Sequence, residues 1–585
     1  MKIVLSALNT RYIHSNLAIR YLSGVVSEAH EVILAEFTIH DPTLRIADEI
    51  RKQAPDLIGF SMYMWNVRQT CEVIRTIKQM IPECVIVTGG PEVSFETDTF
   101  LTNEPAVDYA ICGEGEGPFA QLIHNLAIGD RLTPIPGVLS KKSGIALQNP
   151  NVYIDMDKLP FPYAKSNMVK PHQIVYYESS RGCPFSCAFC MSSLDRTVRS
   201  KSLERVKSEL AMFLEMDIQQ VKFVDRTFNY DVGRAVEIWT YLRNHYRSGI
   251  NFHFEISADL LDEASIRFLN TIPKGYFQFE IGIQSTNKQT LMEVCRHGSW
   301  DSISRNVEAI RLSNNIHLHL DLIVGLPYED MSSFHRSFNQ IYQLNPHMLQ
   351  IGFLKLLKGT LLHASAGQYQ YRYMPDPPYQ VLSNRWMDVT QISALTDFEE
   401  MVEIYFNSER FIFSIPIAVQ ESGGDPFVLF YDFSRYWTNM RYNVREISMK
   451  EQYKIFIDYG EASTWVQMDW FMDAIKMDYL LREKSNSQPD WLPTDPLPLH
   501  TALQLLDNPC FRRKYLLHLD GKTTRQIMRN VHFEWFSHNL KTGMGEKACY
   551  MIDYHKDSDG NSTFHKIHLN EFSPDQLVSE KGVTS

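Results

Sequence analysis

The run Glu178-Ser-Ser-Arg-Gly-Cys183-Pro-Phe-Ser-Cys187-Ala-Phe-Cys190 gathers three thiols in a C-x3-C-x2-C spacing. A cubane iron–sulfur cluster has four irons, and a full protein ligand set is four thiolates. Three close cysteines leave one iron open to chelation by a small molecule, so the triplet reads as a reactive centre. A structural zinc site wants four ligands, often paired as C-x2-C, and the flanking cysteines, Cys112 and Cys295, lie far off in sequence. A disulfide framework fits poorly with nine scattered cysteines in 585 residues and no secretory signal.

The triplet follows an apolar run, Ile174–Glu178, and five similar runs come after it. They are Val221–Val224, Phe252–Ile256, Phe277–Ile283, His317–Val324 and Met348–Phe353. Helix-period stretches such as Leu203–Leu214 and Val232–His245 separate them. This alternation predicts a partial (β/α)6 parallel barrel over 171–360, with its chemistry at the carboxyl ends of the strands. Polar residues stand at those ends: Asp225-Arg-Thr-Phe-Asn229, Glu255-Ile-Ser-Ala-Asp259, Glu280-Ile-Gly-Ile-Gln284-Ser, and Asp321 ahead of Gly325-Leu-Pro327. Leu159-Pro-Phe-Pro162 marks an extended linker within 131–170, since proline disfavours helix before it.

Residues 1–130 show the same alternation, with strands expected at Lys2–Ala7, Val32–Ala35, Leu57–Met62, Val85–Thr88 and Tyr109–Cys112. The pattern predicts an α/β, flavodoxin-like, doubly wound sheet that binds ligands beyond its strand ends. The informative residues lie there: Asn9, Tyr12 and His14; Ser61 and Tyr63; Gly89-Gly90-Pro91-Glu92; and Gly113-Glu114. Consecutive glycines let a backbone approach a bulky ligand without a Cβ in the way.

Together these motifs resemble cobalamin-binding radical S-adenosylmethionine (radical SAM) proteins with a carboxyl-terminal domain of unknown function. The resemblance implies a [4Fe–4S] cluster on Cys183, Cys187 and Cys190. It implies S-adenosylmethionine near Phe189, Glu255, Glu280 and Gln284, and cobalamin against Asn9, Tyr12, Ser61, Tyr63, Gly89, Gly90, Pro91, Glu92, Gly113 and Glu114. The implied activity is reductive cleavage of S-adenosylmethionine to a 5′-deoxyadenosyl radical, with methyl transfer to an unactivated centre of an unknown substrate. A one-electron donor such as flavodoxin or ferredoxin is implied as partner. Two departures stand out. The usual G-G-E is replaced by Phe223-Val-Asp225-Arg-Thr, and the D-x-H-x-x-G of histidine-ligated cobalamin domains is absent around His14. His14 is therefore expected in the first turn of a helix and not on cobalt. Alternative readings are radical chemistry of another type without a working corrin (rearrangement or sulfur insertion), and a non-catalytic cofactor sensor.

Beyond 360 the rhythm ends. Residues 361–500 are rich in aromatics, with Trp465, Met468, Met472, Ile475 and Tyr479 at helical spacing, which predicts an aromatic helical core. A small α+β module is expected over 501–585, with a hairpin of Tyr550–His555 and Phe564–His568 across Asp557–Ser562. Its histidines, His555, His565 and His568, read as solvated strand residues. A net charge of -12 argues against nucleic acid as the main partner. The apolar runs are too short to cross a bilayer, so a cytoplasmic protein is expected.

Overall fold

Five parallel strands, β1 (Lys2–Asn9), β2 (Glu31–Thr38), β3 (Leu57–Ser61), β4 (Val85–Gly89) and β5 (Tyr109–Ile111), build the amino-terminal sheet. A sixth, β6 (Val138–Ser140), joins the edge antiparallel, giving the order β2-β1-β3-β4-β5-β6. Three residues are too few to show a period, so β6 left no trace in the sequence. Alternation along β1 explains the two layers of helix. Ile3, Leu5 and Ala7 pack with Ile19, Phe119 and Leu122 on one face, and Val4 and Leu8 pack with Ile46, Val73 and Ile77 on the other. A strand covered on both faces reads as near-continuously apolar, and all five residues of β3 are buried.

This computed structural model describes residues 1–140, 153–164, 169–170, 172–484, 488–556 and 562–572. The expected linker over 131–170, the loop at 485–489 and the turn at 557–562 lie partly outside them. The chain forms two units, Met1–Pro346 with Gln350–Ile392, and His347–Leu349 with Ser393–Ser585.

The first unit, which takes all but Met348 and Leu349 of the last strand, has a second sheet in chain order: β7 (Val175–Tyr177), β8 (Gln220–Phe223), β9 (Asn251–Ile256), β10 (Phe277–Gln284), β11 (His317–Val324) and β12 (Met348–Phe353). The pairings from β7 to β11 are parallel, and the edges, β7 and β12, leave the barrel open. Its outer face is aromatic, with Trp239 against Phe228, Phe254 and Phe279. This unit runs on to Ile392, past 360, and adds a short ribbon, β13 (Arg372–Tyr373) with β14 (Val381–Ser383).

The second unit is mainly helical around a cluster of Tyr405, Phe411, Phe433 and Phe456. It ends in an antiparallel sheet, β15 (Val531–His538), β16 (Gly545–Asp553) and β17 (Thr563–Ile567). The hairpin strands are the expected pair, and β15 is an addition. Among the described residues no helix is long and apolar enough to cross a membrane.

Candidate active site

The cysteine loop is closed at its base. Ser180–Arg181 pairs antiparallel with Arg199–Ser200, and the buried Asp225 carboxylate accepts from Ser179 N (2.9 Å), Ser179 Oγ (2.7 Å) and Ser180 Oγ (2.6 Å). Asp225 is thus an anchor for the approach to the loop. Gly182, at φ +91°, passes so close to the chain that an added Cβ would lie 2.3 Å from Thr197 O. Cys183 N donates to Asp195 O at 3.0 Å, and Cys190 N to Cys187 O at 3.1 Å. Cys183 and Cys187 are buried and Cys190 is half-buried.

Burial pushes the Cys187 thiol up, and the Arg296 guanidinium, 3.9 Å from its Sγ, pulls the other way. Ligating thiols must be deprotonated, so this cation favours the state a metal needs. Among the described residues no three His, Cys, Asp or Glu donors crowd one point; the thiolates of a cubane bind separate irons and stand apart. Three thiols in one closed loop beside a guanidinium fit a cluster held by three protein ligands.

Below the loop, alternate residues of the barrel strands turn a polar face inward. Lys222 Nζ lies 2.9 Å and His253 Nε2 3.0 Å from Glu280 Oε2. Burial alone would raise the Glu280 carboxyl, but His253 and Lys222 hold it well below the ordinary range. Its neighbours move oppositely. Burial and the Glu280 charge push Glu255 up to about 7, and burial followed by the charges of Glu280 and Glu255 pushes Asp321 well up. Burial lowers His319 to about 4. His319 Nε2 and Asp321 Oδ1 face each other at 3.3 Å without hydrogen-bond geometry, both buried and unpartnered. These orphaned atoms fit a polar ligand inside the barrel. Gln284, at φ +72° where the β10–β11 register shifts, folds back over Gly282. Glu255, Glu280 and Gln284 therefore share one inner face, whereas Phe189 belongs to the cysteine loop. Tyr176, Lys222, His253, His319 and Arg296 escaped the sequence reading. For His253 and His319 the signal was the strict alternation in Asn251-Phe-His-Phe-Glu-Ile and His317-Leu-His-Leu-Asp321.

The amino-terminal loops show a mixed picture. Asn9 Nδ2 donates to His14 O at 2.9 Å and Ser61 is buried. Tyr63 stacks on Trp65, centroids 4.4 Å apart, and Tyr12 is 72% exposed. Gly90, at φ +113°, could not carry a Cβ, which would meet Met62 O at 2.5 Å. Pro91 opens the short helix after Gly90, and Gly113 N donates to Ser94 Oγ at 3.2 Å. Glu92 and Glu114 already have protein partners, Tyr379 and Arg199. The bare face of Gly90 is thus taken by Met62, and it is the exposed Gly113 and Tyr12 beyond the strand ends that fit a large planar ligand. His14 is not in a helix. It precedes the helix Leu17–Val26, whose cap is Asn16, and bridges Ile174 beside β7. Its Nδ1 lies 2.7 Å from Tyr176 Oη.

Two arginines tie these loops to the cysteine loop. Arg181, just before Gly182, reaches Glu116 at 2.5 Å and Glu178 at 2.6 Å, and Arg199 pairs with Glu114 and Asp195.

Comparison with known proteins agrees with this layout. The B12 binding domain family matches residues 3–123, the radical SAM superfamily 177–341, and a protein family of unknown function, DUF4080, 367–552. An uncharacterized methyltransferase of Pyrococcus horikoshii is 28% identical over 330 residues, covering 54% of this chain and 70% of that protein. The cobalamin-dependent radical SAM methyltransferase TokK of Streptomyces tokunonensis is 26% identical over 384 residues, covering 60% of this chain and 55% of TokK. The chain thus spans little more than half of TokK. The solved structure of the cobalamin-dependent S-adenosylmethionine radical enzyme OxsB has the same fold at a TM-score of 0.55 and 15% identity, covering 82% of this chain and 79% of that one. The cofactors these domains imply are a [4Fe–4S] cluster with S-adenosylmethionine, and cobalamin. The chain is a cobalamin-binding radical SAM protein with a carboxyl-terminal domain of unknown function.

Proposed function

We propose that the protein is a cobalamin-dependent radical SAM methyltransferase acting on an unactivated centre of a substrate still to be found. The observation that carries this reading is the Arg181–Glu116 pair, which joins the loop bearing Cys183, Cys187 and Cys190 to the strand-end loops of the B12 binding domain. When bound, the cluster supplies an electron to cleave S-adenosylmethionine and the corrin supplies a methyl group.

The protein's own residues do the rest. Cys183, Cys187 and Cys190 hold three irons, and Arg296 stands beside Cys187, opposing the burial that raises its thiol. Phe189, Glu255, Glu280 and Gln284 contact S-adenosylmethionine from the cysteine loop and the barrel's inner face. Glu255 can accept from a ribose hydroxyl or donate, because it titrates near neutrality. Asn9, Tyr12, Ser61, Tyr63, Gly89, Gly90, Pro91, Glu92, Gly113 and Glu114 shape the corrin site. Asn9, Glu92 and Glu114 do so by holding loops, since their side chains are engaged. His14 is read as a residue of the junction with β7 and not as a cobalt ligand, because the D-x-H-x-x-G of ligating domains is absent around it. Residues 1–130 are the corrin domain, 131–170 the linker, 171–360 the barrel, 361–500 the helical region and 501–585 the last module. A one-electron donor such as flavodoxin or ferredoxin delivers the electron. All nine cysteines are unpaired, as thiols are in a reducing cytoplasm.

Anaerobic purification with cobalamin supplied, followed by iron, sulfide and corrin analysis, tests the reading. Cluster and corrin together, with 5′-deoxyadenosine formed under strong reductant, are expected. Tetrahedral zinc on the three cysteines would refute it.

A further inference from the structure

The region of unknown function begins inside the first unit. Its family match opens at residue 367, yet that unit continues to Ile392. Three tyrosines buried in this stretch, Tyr369, Tyr371 and Tyr379, send their hydroxyls to three different elements. Tyr369 donates to Glu293 Oε1 at 2.5 Å, Tyr371 to Gly325 O at 2.8 Å, and Tyr379 to Glu92 Oε2 at 2.7 Å. A buried hydroxyl left unpaired is costly, so each contact fixes the chain that makes it.

The contacts lead to the two candidate cofactor loops. Glu293 begins a turn that grips the cysteine loop: Val294 O accepts from Ala188 N at 2.9 Å, and Arg296 stands beside Cys187. The preceding helix, Leu361–Ala364, reaches the same residue directly, since Leu362 N donates to Ala188 O at 2.9 Å. Ala188, between the second and third cysteines, is thus held through both its N–H and its carbonyl. At the other end, Glu92 follows Gly89-Gly90-Pro91, and Lys358 pairs with Glu96 at 2.7 Å. The Phe95 ring lies so close over Gly359 (φ +83°) that an added Cβ would sit 2.3 Å from it. Between the two ends, Val381 N donates to Leu354 O at 2.9 Å and Asn384 Nδ2 to Gly325 O at 2.9 Å, which sews the stretch to the ends of β12 and β11.

We infer that residues 355–384 are a tie that sets the spacing between the corrin loop and the cluster loop. The opening of the region of unknown function is thereby a positioning element of the active site, with Tyr369 and Tyr379 as its two fastenings. This rests on the proposed function, in which both loops hold their cofactors. Positioning matters because a misplacement of about 1 Å can cost on the order of 100-fold in rate.

The test uses Tyr369→Phe, Tyr379→Phe and the double variant in the full chain, loaded anaerobically with cobalamin and iron–sulfur cluster. Pulsed electron paramagnetic resonance measures the distance distribution between cobalt(II) and the reduced cluster. Each single variant is expected to retain iron and corrin yet broaden that distribution, and the double variant to broaden it further. A loosened tie moves this readout, whereas a loss of general stability lowers cofactor content instead. Should a phenylalanine variant fail to fold, the exposed pair carries the same test: Lys358→Glu broadens the distribution and Lys358→Arg does not. Fully loaded variants with the wild-type distribution would overturn the tie. A wild-type protein that takes up neither cofactor would overturn the functional reading, and the tie with it.

Discussion

Replacing Arg181 by methionine tests whether the junction between the B12 binding domain and the cysteine loop is electrostatic. The guanidinium donates to Glu178 Oε1 from Nε (2.9 Å) and Nη2 (2.6 Å), and to Glu116 from Nη2 (2.5 Å) and Nη1 (3.2 Å). The three side chains are 15%, 11% and 7% exposed. Methionine keeps the bulk and removes the charge, leaving two buried carboxylates face to face. Breaking a buried pair from one side costs about 3–5 kcal/mol. The carboxylates can escape part of that cost by taking up a proton. Their folded pKa then lies above the unfolded one, so stability is fully present below the unfolded value, near 4.3, and is lost as pH rises. The deficit of Arg181→Met should therefore be largest above pH 7 and shrink toward pH 5. Adding Glu116→Gln removes one stranded carboxylate, so the double variant should be less destabilised than Arg181→Met alone, a non-additive result. The two units can unfold separately, so the assay is hydrogen exchange of peptides spanning 109–124 and 175–200 as a function of pH. A deficit below about 1 kcal/mol, the scale of an exposed ion pair, or one that ignores pH, would refute the reasoning.

Further outcomes follow from the same geometry. Gly182→Ala is expected to abolish iron binding while leaving corrin uptake intact, measured by metal and corrin analysis, because its Cβ meets Thr197 O. Replacing Cys183, Cys187 and Cys190 together should remove the cluster and all S-adenosylmethionine cleavage; full iron retention would count against the assignment. Glu255 is raised to about 7, so its contribution to stability is present below pH 4.5 and lost as pH climbs through 7. Glu255→Gln should flatten the stability profile of the cofactor-free protein in that window, by about 1–3 kcal/mol, as followed by urea unfolding at a series of pH values. Asp225→Ala withdraws three hydrogen bonds from residues 179 and 180. It should speed exchange of the 175–200 peptide with little change over 1–100.

The six barrel strands were legible because each carries an apolar face that must meet a helix layer, and their predicted bounds differ from the observed ones by at most one residue at either end. The thiol triplet was legible because its spacing is chemically demanding. What sequence could not supply was the partner of each polar group. Glu114 and Glu280 look alike on a strand-end list, yet one is tied to Arg199 and the other to Lys222 and His253. Such pairings join residues far apart in the chain and leave no local period. His14 shows the same limit. Its neighbours suggested a helix turn, but Asn16 caps the helix after it, and the bridge to Ile174 draws it toward the barrel edge. The strand β6 and the ribbon of β13 and β14 were invisible for a simpler reason, that two or three residues carry no pattern.

The barrel interior raises a question of charge that its geometry answers. Glu255, Glu280 and Asp321 lie on neighbouring strands, and three half-buried carboxylates cannot all ionise easily beside one lysine. Lys222 and His253 settle on Glu280, and burial, joined by its negative charge, holds Glu255 and Asp321 toward their protonated forms. A cofactor carrying a sulfonium and an ammonium brings positive charge into this space. Its arrival should lower the pKa of whichever of Glu255 and Asp321 it faces, and so release protons. Calorimetric titration of S-adenosylmethionine in buffers of different ionisation enthalpy reads that release directly. If Glu255 is the group responsible, proton release disappears in Glu255→Gln and persists in Asp321→Asn. Equal proton release from both variants would place the cofactor's charge elsewhere in the barrel.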